Sequence, residues 1–392
     1  MSEKYKYDLR GVSATKGEVH DAIKNLDKGL YPMAFCKILP DIAAGDPAFC
    51  NLMHADTAGT KTSLAYMYWR ETGNLDVWKG IAQDAIVMNL DDMACVGAID
   101  NIIISSTIGR NKRLISGEVI STLINSANEF LEMLNDFGVG VTLAGGETAD
   151  VGDIVRTIDV GYTAFARLKR DELIINDIKA GDVIVGLSSS GQATYENHYN
   201  GGTGSNGLTS ARHDVLNYDY ADMFPDSFDN GMPMEVAYVG LQKLTDKVEI
   251  EGVNDDLDIG KLILSPTRTY LPVMIKILQS LRKEINGLIH CTGGGQTKVQ
   301  KFINNKHIIK DNLLPTPFLF NLIQEQAETS WEEMYQVFNM GHRLEFYLPE
   351  EFAQEIIDIS KSFNIDAQII GRVEEYNGEK VTIKTSNGEF VY

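Results

Sequence analysis

The sequence has no paired cysteines, no surplus of basic residues, no long apolar runs and no internal repeats, and each absence removes a class of protein. Its 4 cysteines, Cys36, Cys50, Cys95 and Cys291, stand far apart with no C-x-x-C pair, so neither a disulfide framework nor a zinc site is signalled. Lys and Arg number 35 against 55 Asp and Glu, a formal net charge of -20 that local basic spots such as Arg110, Lys112 and Arg113 do not offset. Nucleic acid is not expected as a main partner, because phosphate-backbone binding depends on clustered cations. No stretch is apolar for long enough to span a bilayer, so no membrane partner is expected. The opening M-S-E-K-Y-K-Y-D carries neither an apolar core nor a cleavage site, and a cytoplasmic location is expected. No repeat or low-complexity tract is visible.

What is present is ordinary for a globular chain: 44% hydrophobic and 23% charged residues over 392 positions, a length that predicts two domains. The polar, charged stretch 168–179 is the best boundary, giving domains 1–170 and 171–392. Strand and helix patterns alternate in both halves, which predicts α/β layers. Residues 49–56 read as a strand that delivers Asp56 to its end, with a helix after it. From 78 to 97, apolar residues recur at Ile81, Ala85, Met88 and Val96, and Asp92 fills the gap in that stripe. A carboxylate on a buried face is costly unless a cation or hydrogen bonds compensate it. Asp91 falls toward the edge of the stripe, where solvation suffices.

A second helix, 116–136, runs into Gly138 and Gly140 and then the apolar run 139–144, so a G-G-E-T turn follows a strand. Period-two alternation of Ile158, Val160, Tyr162, Ala164 and Ala166 predicts a half-buried strand. In the second half, 182–187 reads as a strand, and 192–206 as an exposed excursion before a helix beginning near Asn206. Further on, 343–348 and 367–373 read as strands flanking a helix with Phe352, Ile356, Ile359 and Phe363 on one face. Trp331, Met334 and Phe338 have helical spacing and read as core.

Three acidic signals carry the chemistry: H-A-D-T-A-G-T-K at 54–61, N-L-D-D-M at 89–93 and A-G-G-E-T-A-D at 144–150. Each sets a carboxylate among small or hydroxyl residues, which suits the hard cation Mg²⁺ and lets backbone N–H groups approach phosphate. Together they imply an ATP–magnesium site. Taken singly, Asp56 is an ordinary strand-end residue, Lys61 a surface lysine and His290 a satisfied strand-end histidine.

The order of motifs resembles the phosphoribosylformylglycinamidine cyclo-ligase (aminoimidazole ribonucleotide synthetase) family from about residue 11 to 373. The resemblance rests on D-T-A-G-T-K, D-D-M-A-C-V-G-A (91–98), G-G-E-T-A-D, G-D-V-I-V-G-L-S-S-S-G (181–191), S-N-G (205–207), S-P-T-R-T-Y (265–270), H-C-T-G-G-G (290–295) and E-M-Y-Q-V-F-N-M-G (333–341). It implies an N-terminal ATP-binding and dimerisation domain whose sheet pairs across a homodimer into a barrel, and a C-terminal substrate domain with a helix-covered sheet. The reaction implied is ATP-dependent ring closure of formylglycinamidine ribonucleotide, a phosphoribosyl amidine. By the same resemblance, Asp56, Asp92 and Glu147 would hold magnesium and Lys61 would be the phosphate cation. Thr60, Asp91, Gly145, Gly146 and Thr148 would join them around ATP. Ser189, Gly191, Ser205, Asn206, Gly207, Gly293, Gly294, Gly295 and Asn339 would hold the substrate.

Three departures stand out. Thr57 and Ala58 replace the family's Gly and Val, and the glycine-rich N-terminal loop is reduced to Gly29 and Gly45. Gly204 stands where a His usually precedes S-N-G, and His198, in an insertion, is a candidate catalytic substitute that folds back. Selenophosphate synthetases, thiamine-phosphate kinases and hydrogenase-maturation proteins are related alternatives, as is a nucleotide-binding subunit without catalysis. Cys36–Lys37 loosely matches the first of these, but Cys36 reads more readily as a small buried hydrophobe.

Overall fold

The computed structural model describes residues 8–12 and 21–392, and the first seven residues, on which the leader reading rests, lie outside them. The first half builds a sheet from β1 (Ile38–Pro40), β2 (Phe49–Thr57), β3 (Ile102–Arg110), β4 (Val141–Asp150) and β5 (Ile158–Lys169). Its order is β1-β2-β5-β3-β4, antiparallel except for the parallel β3–β4 pair. A parallel pair needs a crossover, and helix α3 (Gly117–Asp136), after α1 (Lys61–Thr72) and α2 (Val77–Ala94), supplies it. α3 is amphipathic, burying Val119, Leu123, Ala127, Leu131 and Leu134 along one stripe. Leu52, Ile102, Ile104, Ala164 and Ala166 are buried, whereas Met53 (62% exposed) and Ile103 (48%) point from the other face into solvent.

α2 differs from the amphipathic helix read in the sequence. It packs on β2, β5 and α3 and against the second half of the chain, and every residue except Val77, Lys79 and Gln83 is buried. A helix enclosed on all sides has no solvated edge, so Asp91 is fully buried, contrary to the expectation from its place in the stripe. The G-G-E-T segment is also corrected. It lies inside β4 rather than in a turn, with Gly146 opposite Ser106 and Glu147 opposite Thr107. A methyl group on Gly146 would lie 1.9 Å from Ser106 Oγ, so the strand pair closes only on glycine there.

The second half forms a seven-stranded mixed sheet. β6 (Val183–Ser188) and β11 (His342–Leu348) are buried throughout, and β9 (Gly287–His290), β10 (Lys306–Lys310), β12 (Ala367–Glu375), β13 (Glu379–Thr385) and β14 (Gly388–Val391) complete it, while β7 (Lys247–Val248) and β8 (Leu257–Asp258) pair separately. The order is β14-β13-β10-β12-β6-β11-β9. Helix Ala353–Ser362 covers β6 and β12, as its apolar face predicts. The excursion after β6 is exposed at 192, 194, 197 and 198, as expected, but not throughout. Gly191 bridges to Asn200, residues 200–204 are buried, and helix α4 (Leu208–Val215) follows.

The halves are stitched together by polar contacts from α1. Tyr68 donates to Asp258 at 2.9 Å, Thr60 meets Thr209 at 2.7 Å, and Ser63 donates to the Ser227 carbonyl. Among the described residues, no helix is long and apolar enough to cross a membrane.

Candidate active site

Helix α2 carries three buried carboxylates. Asp84 and Asp91 are seven residues apart, two turns on one face, and both grip the S-P-T-R-T-Y segment. Asp84 Oδ1 accepts from the Thr267 amide (2.7 Å), the Thr267 hydroxyl (2.6 Å) and Lys61 Nζ (2.9 Å). Asp91 accepts from the Thr269 hydroxyl (2.7 Å) and the Tyr270 amide (2.9 Å). Burial pushes the Asp91 carboxyl above its ordinary range, and those donors together with nearby His290 and Arg343 oppose the rise. Lys61 also donates to the Ser265 carbonyl at 2.6 Å and is fully buried. Burial lowers its pKa despite Asp84. The structure thus sets Lys61 and Asp91 in the junction between the halves, not at an open phosphate surface.

Asp92, one residue on and so about 100° around the helix, faces a different environment. Its Oδ1 meets His290 Nδ1 at 2.7 Å and its Oδ2 meets His54 Nε2 at 3.3 Å. The protonation of this cluster follows from its neighbours. Asn89 Nδ2 donates to the Ala85 (2.9 Å) and Tyr162 (3.1 Å) carbonyls, so its Oδ1, 3.0 Å from His54 Nδ1, is the acceptor. His54 therefore carries a proton on Nδ1, and its Nε2 faces a carboxylate, which makes it an imidazolium. Burial disfavours that charge, but Asp92 and Asn89 outweigh it and raise the His54 pKa. Burial would likewise raise Asp92, yet the two imidazoles hold it well below the usual carboxylate range. His290 is fully buried and donates from Nδ1, and its Nε2 has no hydrogen-bond partner among the described residues. That nitrogen is the unpartnered polar atom of the cluster.

The other expected metal ligands do not join Asp92. Both of its oxygens are taken by imidazoles. Asp56, half-buried near the end of β2, and Glu147, exposed on β4, lie on strands separated by β5 and β3. Three strand intervals place them roughly 14 Å apart. The cluster among the described residues whose ligand atoms approach within 4.8 Å is instead Cys291, His342 and Glu345. Its carboxylate is already engaged, since Glu345 takes the Lys310 ammonium, His342 Nε2 (2.9 Å) and the Tyr347 hydroxyl (2.6 Å), while His342 Nδ1 has no hydrogen-bond partner among the described residues. Gly145, Gly146 and Thr148 line the outer strand β4 near Glu147, and Thr60 precedes α1.

The expected substrate residues divide in two. Ser189 and Asn339 are buried and bond each other at 2.8 Å, while Asn339 Nδ2 holds the Gly202 carbonyl at 2.8 Å. They support the 200–204 loop instead of facing a ligand. Gly191 (φ +95°) makes the turn that begins it. Gly207 and Gly295 are required by packing, since a methyl group would lie 2.3 Å from Phe338 Cε1 or 2.6 Å from the Phe338 carbonyl oxygen respectively. Ser205, Asn206, Gly293 and Gly294 remain partly open, with the Asn206 Oδ1 atom 3.6 Å from the position of a Gly293 methyl.

His198 does not fold back toward Gly204. It is exposed and lines two surface cavities of about 380 and 460 Å³, both of which also include Asp76 and Gly80 at the start of α2. Asp92 lies roughly 18 Å further along that helix at 1.5 Å per residue. Cys36 is buried with its thiol toward the Asp92 carbonyl at 3.2 Å, and burial pushes its pKa well up, so it is no exposed nucleophile. Sequence reasoning passed over Asp84, His54 and Arg343. The Asp84 to Asp91 spacing of seven was a usable signal, but a lone His in a strand and an Arg in an apolar run were not.

The fold and this junction of carboxylate helix, S-N-G loop and T-G-G-G loop define a two-domain protein of the AIR synthase-related class. Residues 42–168 match "AIR synthase related protein, N-terminal domain" and residues 244–384 match the C-terminal domain of the same description. Phosphoribosylformylglycinamidine cyclo-ligase of Methanocaldococcus jannaschii is 31% identical over 343 residues, covering 85% of this chain and 81% of its own. That of Methanococcus vannielii is 28% identical, covering 95% and 94%. The chain belongs to the phosphoribosylformylglycinamidine cyclo-ligase family of enzymes. The fold is shared with AaThiL complexed with AMPPCP and TMP (14% identity, 96% of each chain, TM-score 0.54). It is shared also with T. maritima PurL complexed with FGAR (14% identity, TM-score 0.51), of which this chain spans 45% while 88% of it is covered.

Proposed function

We propose that this enzyme closes formylglycinamidine ribonucleotide to aminoimidazole ribonucleotide at the expense of ATP. ATP phosphorylates the formyl-amide oxygen, an amidine nitrogen forms a bond to the activated carbon, and the carbon–oxygen bond to phosphate breaks, releasing phosphate and leaving ADP. The observation that carries the reading is the His54–Asp92–His290 cluster beside the S-N-G and T-G-G-G loops, in a chain of this family. The attacking nitrogen must lose a proton, and His290 Nε2 is unpartnered and oriented by Asp92 to accept one. Asp92 then stabilises the imidazolium that forms, while His54 keeps Asp92 ionised before the transfer.

Magnesium, when bound with ATP, supplies neutralisation of phosphate charge. The oxygen donors fit such a cation singly: Asp56 or Glu147 can each complete a shell with phosphate oxygens and water, but one chain does not offer both to one ion. Thr60, Gly145, Gly146 and Thr148 are the accompanying phosphate neighbours in this reading, and Ser205, Asn206, Gly293 and Gly294 the substrate neighbours. The first domain, to about residue 170, would carry the nucleotide, and the second the ribonucleotide. The open sheet face bearing Met53 and Ile103 supports pairing with a second copy as a homodimer.

The test follows phosphate release from ATP and imidazole formation together, with and without formylglycinamidine ribonucleotide. One phosphate per imidazole is expected. ATP binding with no substrate-dependent release would overturn the proposal in favour of a related enzyme or a subunit that only binds nucleotide.

A further inference from the structure

Among the described residues, Arg343 is a buried charged group with two unpartnered donor atoms. It is 2% exposed and donates from Nη2 to the Arg268 carbonyl at 2.5 Å, but its Nε and Nη1 have no hydrogen-bond partner among the described residues. Its guanidinium stands 5.6 Å from the centre of the Tyr270 ring, which attracts it without satisfying its N–H groups. Asp91 senses the charge, yet both Asp91 oxygens already accept from Thr269 and Tyr270. A guanidinium buried with two idle donor atoms is costly and calls for an acceptor.

The backbone places it deliberately. β11 pairs with β6 through His342 opposite Ser188 and Leu344 opposite Leu187, so Arg343 is the extra residue of a bulge, a feature that turns a side chain out of the strand's alternation. The turned side chain reaches Gly204, where a methyl group would sit 3.4 Å from Nη1 and 3.8 Å from Thr267 Oγ1. Gly204, at φ +67°, has no side chain to fill that space. The next residue, Ser205, also has an unpartnered hydroxyl, and the His290 Nε2 atom on the neighbouring strand is a further unpartnered position. Unpartnered groups thus occur on both neighbours of Gly204, Arg343 in space and Ser205 in sequence, and on His290 of the strand paired with β11.

Resting on the cyclo-ligase reading, we propose that Arg343 binds an anionic oxygen of the ribonucleotide substrate through Nη1–H, the unpartnered donor that faces Gly204. The oxygen belongs either to the 5′-phosphate, where it is charged, or to the formyl amide, whose oxygen carries partial negative charge as it attacks the γ-phosphorus of ATP. A guanidinium keeps its charge and its N–H directions when buried, whereas a buried ammonium readily gives up its proton, so Arg suits such an oxygen better than Lys. The competing partner within the protein is Asp84 Oδ2, which also lacks a hydrogen bond and lies on a carboxylate that bonds Thr267. If Arg343 serves only to balance that charge, its loss will affect stability and not substrate handling.

The experiment compares the full-length wild-type protein with Arg343→Met and Arg343→Lys in steady-state ring closure, with urea midpoints measured in parallel. Arg343→Met is expected to lower kcat/KM for the ribonucleotide about 10²- to 10³-fold, with KM for ATP nearly unchanged. Arg343→Lys, or free guanidinium added to Arg343→Met, should recover part of the loss. A fall in kcat identifies the reacting oxygen, and a rise in the ribonucleotide KM identifies the 5′-phosphate. Values of kcat and KM within threefold of wild type in Arg343→Met would overturn the proposal. Should that variant fail to fold, the Arg343 guanidinium N–H resonances of the wild-type protein, Nη1–H included, identified by their loss in Arg343→Lys, are followed as ribonucleotide is added without ATP. Unmoved resonances at saturation overturn the assignment. Absence of ring closure in the wild type counts against the cyclo-ligase reading, whereas wild-type closure with an unaffected Arg343→Met counts against Arg343 alone.

Discussion

Replacing Lys61 by Met separates two roles that the motif D-T-A-G-T-K leaves open. In the structure its ammonium is fully buried, 2.9 Å from Asp84 Oδ1 and 2.6 Å from the Ser265 carbonyl. Removing one partner of such a pair strands the other charge, a loss of about 3–5 kcal/mol. Asp84→Asn strands the lysine in the same way. The double variant Lys61→Met/Asp84→Asn removes both charges of the pair and keeps an acceptor for Thr267, so the two losses should fall short of additivity by about 2–3 kcal/mol. Urea unfolding read by tryptophan fluorescence is a suitable assay, because Trp69 and Trp78 sit 6.1 Å apart on α1 and α2 beside this junction. A Lys61→Met protein destabilised by less than about 1 kcal/mol, the range of an exposed ion pair, with a large loss of nucleotide affinity, would refute the structural role and return Lys61 to the phosphates.

Asp92→Asn should let the His54 pKa fall and slow ring closure about 10²- to 10⁴-fold; an unchanged His54 titration by NMR would contradict the imidazolium assignment. The pH dependence has a definite sign. Asp92, depressed on folding, contributes stability above the ordinary carboxylate pKa of 3.8, and His54, raised on folding, contributes below 6.5 and loses its share as pH rises through the raised value. The urea-midpoint gap between wild type and Asp92→Asn should therefore be widest near about pH 5 and narrow on the alkaline side. For Glu345, burial is outweighed by Lys310 and His342, which hold it at about 2 against an ordinary 4.5. Its contribution is lost as pH falls through that interval, so Glu345→Gln should be weaker than wild type at pH 7 but show a flatter acid limb in a melting series. Gly207→Ala should cost about 1–3 kcal/mol from overpacking against Phe338, with a further penalty for its φ of +79°; a melting temperature equal to wild type would show that the α4 entrance relaxes freely.

Elements with a strong local signature were legible. The Ile158–Lys169 strand, the Gly117–Asp136 helix and the helix after β11 follow their apolar periodicity closely. The errors have a common cause. Periodicity reports one buried face, whereas α2 is enclosed by a sheet, a helix and the second half of the chain, so Asp91 had no solvent to meet. Polarity also misled at 200–204, where the loop's polar groups are paid for by Asn339 and Ser265 rather than by water. Asp56 and Glu147, both in the expected metal set, stand three strand intervals apart within one chain, a separation that motif order does not report.

The sequence by itself determined the layered α/β class, the family and the short stretches where chemistry resides, because these depend on local pattern and on residues within a few positions of one another. Tertiary structure alone decided which partners each carboxylate of the second helix meets. Asp84, Asp91 and Asp92 share one helix and nearly one composition, and their roles part only because S-P-T-R-T-Y packs on two of them while His54 and His290, from two different sheets, converge on the third. Charge in a low-dielectric interior takes its meaning from the partners that reach it, and those partners come from distant parts of the chain.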